Sequence, residues 1–131
     1  NAQTLAAHLA GLPGVRRVIH PGRTDHPDAA RAATILGART GTMVSFEVAG
    51  GRAAANALVR AMPDLPFAPT LGDVGTTLSH PASSSHRAMS PQARVAAGIT
   101  EGFFRVSVGI EEIDSLCAEF AAGVAAAGAA G

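Results

Sequence analysis

The chain has 131 residues, enough for one domain with a single core, and its formal net charge is zero. It has neither a cluster of basic residues nor a platform of aromatic residues, which argues against nucleic-acid binding. The apolar stretches are alanine-rich and interrupted, so no membrane-spanning segment is expected. The ten basic residues are all arginines, and without lysine the chain has no side-chain amine to form a Schiff base.

Three further features of the composition bear on function. The single cysteine, Cys117, excludes an internal disulfide and indicates a reducing compartment. The five histidines do not pair at helical spacing, so no metal site is predicted. Asn1 leads straight into a helix-like segment without an initiator Met or a basic signal region, which predicts a cut inside a longer chain.

The first half of the chain alternates between helical and extended patterns. Asp28 is expected to cap the second helix and Gly37 to end it. The expected elements are helices over Thr4–Gly11, Ala29–Leu36 and Arg52–Met62, and strands over Arg16–His20 and Thr42–Val48.

The second half begins with proline-rich and polar segments. An extended edge segment is expected over Pro66–Leu71, and a loop over Thr70–Ser85, which is rich in Gly, Thr and Ser. Ser90, followed by proline, predicts the cap of a short helix that ends at Gly98.

The end of the chain predicts a strand and then a helix. Phe104, Val106 and Val108 alternate toward one face of the strand, while Arg105 and Ser107 point to the other. Glu111 and Glu112 are expected in the first turn of the last helix, where the helix dipole favours them. The alanine-rich tail, residues 121–131, is expected to fray.

This order of elements predicts an α/β fold of the α+β sandwich type. A small, mostly antiparallel sheet would carry helices on one face, and the other face would carry Arg105. The domain is expected to comprise residues 1–131.

Arg105 is the main candidate functional residue, and its strand alone leaves two interpretations open. It is either a solvated arginine or a guanidinium fork that grips a carboxylate through two hydrogen bonds. The segment Thr70-Leu71-Gly72-Asp73 favours the fork, because a hydroxyl and backbone N–H groups on a loop can satisfy the remaining lone pairs of a bound carboxylate.

A Ser/His catalytic pair is less well supported than this clamp. The run from Ser83 to His86 contains the residue types, but the chain has no G-x-S-x-G turn and no positioned carboxylate. We therefore predict no catalytic residue in this chain.

An ordered series of segments over Asn1–Phe120 resembles the C-terminal domain of the Cys/Met-metabolism family of PLP-dependent enzymes, which includes cystathionine γ-lyases and methionine γ-lyases. The segments are Val18-Ile19-His20-Pro21-Gly22 with His26-Pro27, Gly41-Thr42-Met43-Val44-Ser45-Phe46, Thr70-Leu71-Gly72-Asp73, His80-Pro81-Ala82-Ser83 with Ser85-His86, Gly98-Ile99-Thr100, and Phe104-Arg105-Val106-Ser107-Val108-Gly109-Ile110-Glu111.

The resemblance implies the C-terminal domain of a fold-type I enzyme that uses pyridoxal 5'-phosphate and an amino acid substrate. Arg105 would bind the substrate α-carboxylate with help from Thr70, which replaces the family's Ser, and from the adjoining Leu71. The cofactor lysine would lie in a part of the enzyme outside this chain. Family enzymes are usually cytoplasmic homotetramers.

The departures from the family pattern favour one activity. Many members have Glu at the position of Gly75, and cystathionine γ-lyases commonly have Glu at the position of Pro69. Without these carboxylates we expect a methionine γ-lyase. Cystathionine γ-lyase, cystathionine γ-synthase and O-acylhomoserine sulfhydrylase remain alternatives, the last because its N-L-G-D segment is similar to Thr70–Asp73. A stand-alone carboxylate-binding or oligomerisation module is the non-enzyme alternative.

Overall fold

A computed structural model describes all residues of the chain, Asn1–Gly131. Five α-helices, four strands and one turn of 3₁₀-helix follow one another along the chain. Their bounds are α1 Ala2–Ala10, β1 Val15–Ile19, α2 Ala29–Leu36, β2 Met43–Val48, α3 Gly51–Ala61, β3 Thr77–Ser79, a 3₁₀ turn Pro81–Ser83, α4 Pro91–Ala96, β4 Phe103–Ser107 and α5 Ile113–Ala130.

The four strands form one antiparallel sheet in the order β1-β2-β4-β3. Helices α1, α3 and α5 pack on one face of it. Between the layers, the Phe46 ring stacks on Phe104 at 5.4 Å between centroids and meets the edge of Phe120 at 5.9 Å. The structure thus confirms the predicted α/β fold, in which a small antiparallel sheet is covered on one face by helices.

Helix α2 has the predicted bounds, Ala29–Leu36, but no role in the core. None of its residues is buried, and Ile35 is 67% exposed. The expected cap is wrong, because Asp28 makes no side-chain hydrogen bond to the helix. At α4 the expected cap is confirmed: the Ser90 hydroxyl accepts a hydrogen bond from the Ala93 N–H at 3.2 Å.

The prediction of a loop over Thr70–Ser85 is wrong in its second part. Strand β3 and the 3₁₀ turn both lie within it, and all three residues of β3 are buried. Residues 66–68 extend along the outer side of β3, where Leu78 donates to the Pro66 carbonyl and accepts from the Ala68 N–H, each at 2.9 Å. The expected edge segment is therefore present and covers β3.

Helix α5 differs from expectation at both ends. Glu112 is its N-cap, accepting hydrogen bonds from Asp114 N–H at 3.1 Å and Ser115 N–H at 2.8 Å, and Glu111 lies outside the helix. The tail does not fray but stays helical to Ala130. Alone among the helices, α5 is long and apolar enough to cross a membrane by length and composition, yet its apolar side, including Phe120, lies in the core.

Candidate substrate-binding site

Arg105 lies at the centre of the sheet face opposite the three core helices. In the strand register it is paired with Ser45 on β2 and with Ser79 on β3. Side chains alternate between the faces of a strand, so its neighbours Phe104 and Val106 are buried in the core while Arg105 projects away from it. The predicted orientation of Arg105 is therefore confirmed, and its side chain is half-buried.

The guanidinium group of Arg105 is only partly satisfied within the chain. Nη2 donates to the carbonyl oxygens of Pro69 and Thr70, at 2.9 and 3.4 Å. Nε is buried without a hydrogen-bond partner, and no protein acceptor is within hydrogen-bonding geometry of Nη1. An unsatisfied buried donor costs about 1–3 kcal/mol, so this arginine is poorly explained as a structural residue.

The structure brings the predicted loop to Arg105, but through its backbone. The contact is to the Thr70 carbonyl, and the Thr70 hydroxyl makes no hydrogen bond to the rest of the chain. Leu71 is 63% exposed, and its backbone N–H has no partner in the protein. The loop that contacts Arg105 thus keeps one unengaged hydroxyl and one unengaged N–H, donors of the kind that a carboxylate can accept from.

Two residues that hold this loop were not singled out as site residues by the sequence. The Thr77 hydroxyl on β3 donates to the Thr70 carbonyl at 3.2 Å. The Ser107 hydroxyl on β4 accepts a hydrogen bond from the Gly72 N–H at 2.9 Å. Only Ser107 had a signal in the sequence, since its two-residue spacing from Arg105 places both on one face.

On the same sheet face as Arg105, a polar network joins β1 and β2 to the segment before β4. Glu47 on β2 accepts from Arg17 Nε at 2.8 Å and, through its other oxygen, from the Thr100 hydroxyl at 2.8 Å. The Arg17 guanidinium also donates to the Gly98 carbonyl and lies 5.4 Å from the centre of the Phe103 ring. The charged groups of this network, Arg17 and Glu47, pair with each other, whereas Arg105 has no charged partner.

His80 connects β3 to the same segment from inside the structure. Its Nδ1 lies 2.8 Å from the Ser83 hydroxyl and its Nε2 2.9 Å from the Glu101 carbonyl, and the residue is buried. Since a carbonyl only accepts, Nε2 carries the proton. Burial lowers the pKa of His80, and Arg52 and Arg94 act in the same direction. Ser83 is engaged with this buried histidine, and in the same run the Ser85 hydroxyl lies 2.8 Å from Nδ1 of His86.

A surface groove lies away from Arg105. Its volume is about 520 Å³, and it follows β1 between the end of α1 and residues 23–27. Arg23, one of the three arginines that line it, is already engaged by the Asp25 carboxylate at 2.6 Å and by the Ala6 carbonyl at 3.3 Å. The unsatisfied donors of Arg105 are therefore a better indication of a binding site than the size of this groove.

Three comparisons with known proteins agree on one family. The model of the family described as Cys/Met metabolism PLP-dependent enzyme matches residues 1–125. The O-succinylhomoserine sulfhydrylase of Pseudomonas aeruginosa is 41% identical over 96% of this chain and 31% of its own length. The L-methionine gamma-lyase of Pseudomonas putida is 38% identical over 91% of the chain and 30% of its own length.

A solved structure extends the agreement to three dimensions. The cystathionine gamma synthase from Xanthomonas oryzae pv. oryzae, in complex with cystathionine, superposes with a TM-score of 0.87 at 40% identity over 98% of this chain and 33% of its own. The chain spans about a third of the length of these relatives. It belongs to the Cys/Met-metabolism family of PLP-dependent enzymes, so the resemblance noted in the sequence is confirmed, as is the dependence of the family on pyridoxal 5'-phosphate.

Proposed function

We propose that residues 1–131 are the C-terminal domain of a PLP-dependent enzyme of sulfur amino acid metabolism and that they bind the α-carboxylate of its substrate. The state of Arg105 carries this proposal. It is a half-buried cation at the centre of an open sheet face, and two of its three guanidinium nitrogens have no partner. A carboxylate is the anion whose geometry best matches the N–H donors of a guanidinium group.

Thr70 and Leu71 complete the proposed binding site. Once a carboxylate meets the guanidinium, its remaining lone pairs can accept from the Thr70 hydroxyl and the Leu71 N–H, both of which are unengaged. Holding one end of the substrate in this way fixes the direction of its other bonds, which is how positioning accelerates a reaction.

The cofactor does not fit a covalent site within residues 1–131, because the chain has no lysine. We therefore place its lysine and its binding pocket in a part of the polypeptide outside these residues. When bound, pyridoxal 5'-phosphate supplies the electron sink for carbanion chemistry on the substrate. The residues described here would bind and orient the substrate rather than take part in that chemistry.

For the reaction itself we propose γ-elimination from methionine, giving methanethiol, 2-oxobutanoate and ammonia. Cystathionine has a distal ammonium group that needs a polar partner, and Pro69 and Gly75 supply none. Of the nearby carboxylates, both Glu111 oxygens accept from Thr76, and Asp73 accepts from the Val74 N–H at 2.7 Å through one oxygen. A site that has no carboxylate at positions 69 and 75 favours an apolar thioether.

A sulfhydrylase is the second candidate. The segment from Thr70 to Asp73 is similar to the N-L-G-D of O-acylhomoserine sulfhydrylases, and the relative with 41% identity is an O-succinylhomoserine sulfhydrylase. Cystathionine γ-lyase and γ-synthase are further alternatives within the family, and the solved structure above is a cystathionine gamma synthase. A carboxylate clamp would serve all of these reactions.

One assay on the full-length enzyme separates these activities. Release of 2-oxobutanoate is measured from L-methionine, L-cystathionine and O-acetylhomoserine under identical conditions, the last with and without sulfide. We expect methionine to give the highest kcat/KM. A highest value for cystathionine would overturn the methionine assignment. Faster formation of homocysteine from O-acetylhomoserine and sulfide than any elimination would identify a sulfhydrylase.

The assembly and location implied by the family are also part of this proposal. We infer a homotetramer in the cytoplasm for the full-length protein, and light scattering of that protein tests its mass. A reading frame that begins near Asn1 with its own Met would instead support a stand-alone carboxylate-binding or oligomerisation module.

A further inference from the structure

Glu111 and Thr76 form a two-point contact beyond the proposed carboxylate site. One Glu111 carboxylate oxygen accepts from the Thr76 backbone N–H, and the other accepts from the Thr76 hydroxyl at 2.8 Å. The same hydroxyl accepts from the Gly109 N–H at 2.9 Å, and Thr76 is fully buried. The Thr76 side chain is thus fixed by one bond it donates and one it accepts.

The two segments joined by this contact lie against each other without a gap. Ile110 donates its N–H to the Val74 carbonyl at 2.9 Å. A Cβ atom at Gly109 would overlap the Val74 carbonyl oxygen and lie 2.7 Å from the carbonyl carbon of Gly75. Residues 74–76 are therefore held directly on residues 109–111, and only a residue without a side chain fits at position 109.

This contact fixes the far end of the loop that reaches Arg105. Nearer to the arginine, the loop is held at Thr70 by Thr77 and at Gly72 by Ser107. The strand that carries Arg105 and Ser107 leads directly into residues 109–111, so one contact restrains both the strand and the loop. Glu111 can consequently affect the site without touching a substrate.

The ionised state of Glu111 suits this contact. Burial acts to raise the pKa of the Glu111 carboxyl, but the hydrogen bonds donated by the Thr76 backbone and hydroxyl and by its own N–H outweigh it. The net pKa lies below its ordinary value. From the other side, Asn1 donates to the carbonyls of Gly109 and Glu111 at 3.1 and 2.8 Å, which steadies the segment that presents the carboxylate.

We propose that Glu111 is a positioning residue of the carboxylate site: through Thr76 it holds the loop at residues 70–72 in place for a carboxylate bound to Arg105. The inference rests on the proposed function, because it needs Arg105 to bind the substrate carboxylate. It assigns a role in substrate recognition to a residue that the sequence placed only in the first turn of a helix.

The test compares two inhibitors of the full-length holoenzyme. L-Norleucine keeps the shape of methionine but lacks the sulfur, and L-norleucinamide also lacks the carboxylate. We define the carboxylate preference as the Ki of the amide divided by the Ki of the acid. Because each Ki is a property of the active enzyme, loss of folded protein does not change this ratio. We expect Arg105→Ala to bring this ratio close to one. We expect Glu111→Ala to lower it by about tenfold, which is less than the roughly hundredfold effect that a 1 Å misplacement can have.

Glu112→Gln is the matched control, because Glu112 is the adjacent carboxylate and caps α5 without contacting the loop. We expect it to leave the ratio unchanged. An unchanged ratio in Glu111→Ala alongside a collapsed ratio in Arg105→Ala would overturn the positioning role and leave the proposed function standing. An unchanged ratio in Arg105→Ala would overturn the proposed function and this inference with it.

A second pair of variants covers the case in which Glu111→Ala does not fold. Thr76→Ser keeps the hydroxyl that joins Glu111 to Gly109, and we expect it to retain the carboxylate preference. Thr76→Val keeps the shape without the hydroxyl, and we expect it to lose preference as Glu111→Ala does. Equal ratios in the two Thr76 variants would contradict the positioning role.

Discussion

The hydroxyl of Ser107 accepts a hydrogen bond from the backbone N–H of Gly72 at 2.9 Å. This bond joins the strand that carries Arg105 to the loop that carries Thr70 and Leu71, 35 residues earlier in the chain. The spacing between the arginine and its surrounding loop is thus set by a neighbouring side chain on the same strand.

Ser107→Ala is expected to impair substrate binding more than turnover. Without the hydroxyl the Gly72 N–H loses its acceptor, so the loop is less well held, and KM for the amino acid substrate should rise while kcat changes little. The free energy of unfolding should fall by about 1 kcal/mol, the usual net value of one hydrogen bond. Steady-state kinetics and denaturant unfolding of the full-length enzyme measure both.

Ser115→Ala is the control for this variant, since Ser115 is exposed in α5 and its backbone N–H bonds to Glu112 rather than to the loop at residues 70–72. Equal KM values for the two alanine variants would show that the bond between Ser107 and Gly72 does not support the site.

Gly109→Ala and Gly128→Ala should affect stability in opposite directions. An added Cβ at Gly109 would overlap the Val74 carbonyl oxygen, and overpacking of this kind costs about 1–3 kcal/mol or more. At Gly128, within α5, the added Cβ meets nothing within 4 Å, and alanine is favoured over glycine in a helix by about 1 kcal/mol. Urea unfolding of both variants checks this, and a Gly109→Ala protein as stable as the wild type would be inconsistent with the close approach.

Acid should destabilise the protein beginning near pH 6.5, in part through His80. Its pKa in the folded protein lies below the ordinary value of 6.5, chiefly because the residue is buried. The unfolded chain therefore binds the proton first as pH falls, so the stability that His80 contributes is complete above about pH 6.5 and is lost as pH drops through the folded pKa. Burial lowers the pKa of His20 as well, which adds to the same dependence.

The measurement is the free energy of unfolding between pH 7.5 and 5 for the wild type and for His80→Asn. We expect a shallower pH dependence in the variant, whatever its absolute stability. His86→Asn is the control, because the His86 ring bonds only to the exposed Ser85 hydroxyl. An identical slope in His80→Asn and wild type would refute the assignment to His80.

Much of the fold could be predicted because its main elements have local signals. Strands β2 and β4 alternate cleanly, and the limits of α2 match their glycine and polar flanks. Strand β3 was missed because its three residues are all buried and carry no alternation, so it exists through pairing with β4 on one side and residues 66–68 on the other.

At the candidate site, the orientation of Arg105 could be predicted from the sequence, but the contacts that hold the loop around it could not. The spacing of Arg105 from Ser107 showed which face the arginine occupies, whereas the partners that hold the loop are distant in sequence. Glu111 was assigned to a helix from its position before Ile113, but its carboxylate contacts Thr76, 35 residues away. A single sequence contains no local pattern for such a contact.

The most direct test of the account is the kcat/KM of Arg105→Ala in the full-length enzyme, with Arg60→Ala, an exposed arginine of α3, as the control. Loss of a charge-assisted contact costs about 1.5–3 kcal/mol. We therefore predict that kcat/KM falls by about tenfold to a hundredfold, while the free energy of unfolding changes little. Arg60→Ala should keep its activity. A kcat/KM for Arg105→Ala close to that of the wild type would contradict the claim that Arg105 binds the substrate carboxylate.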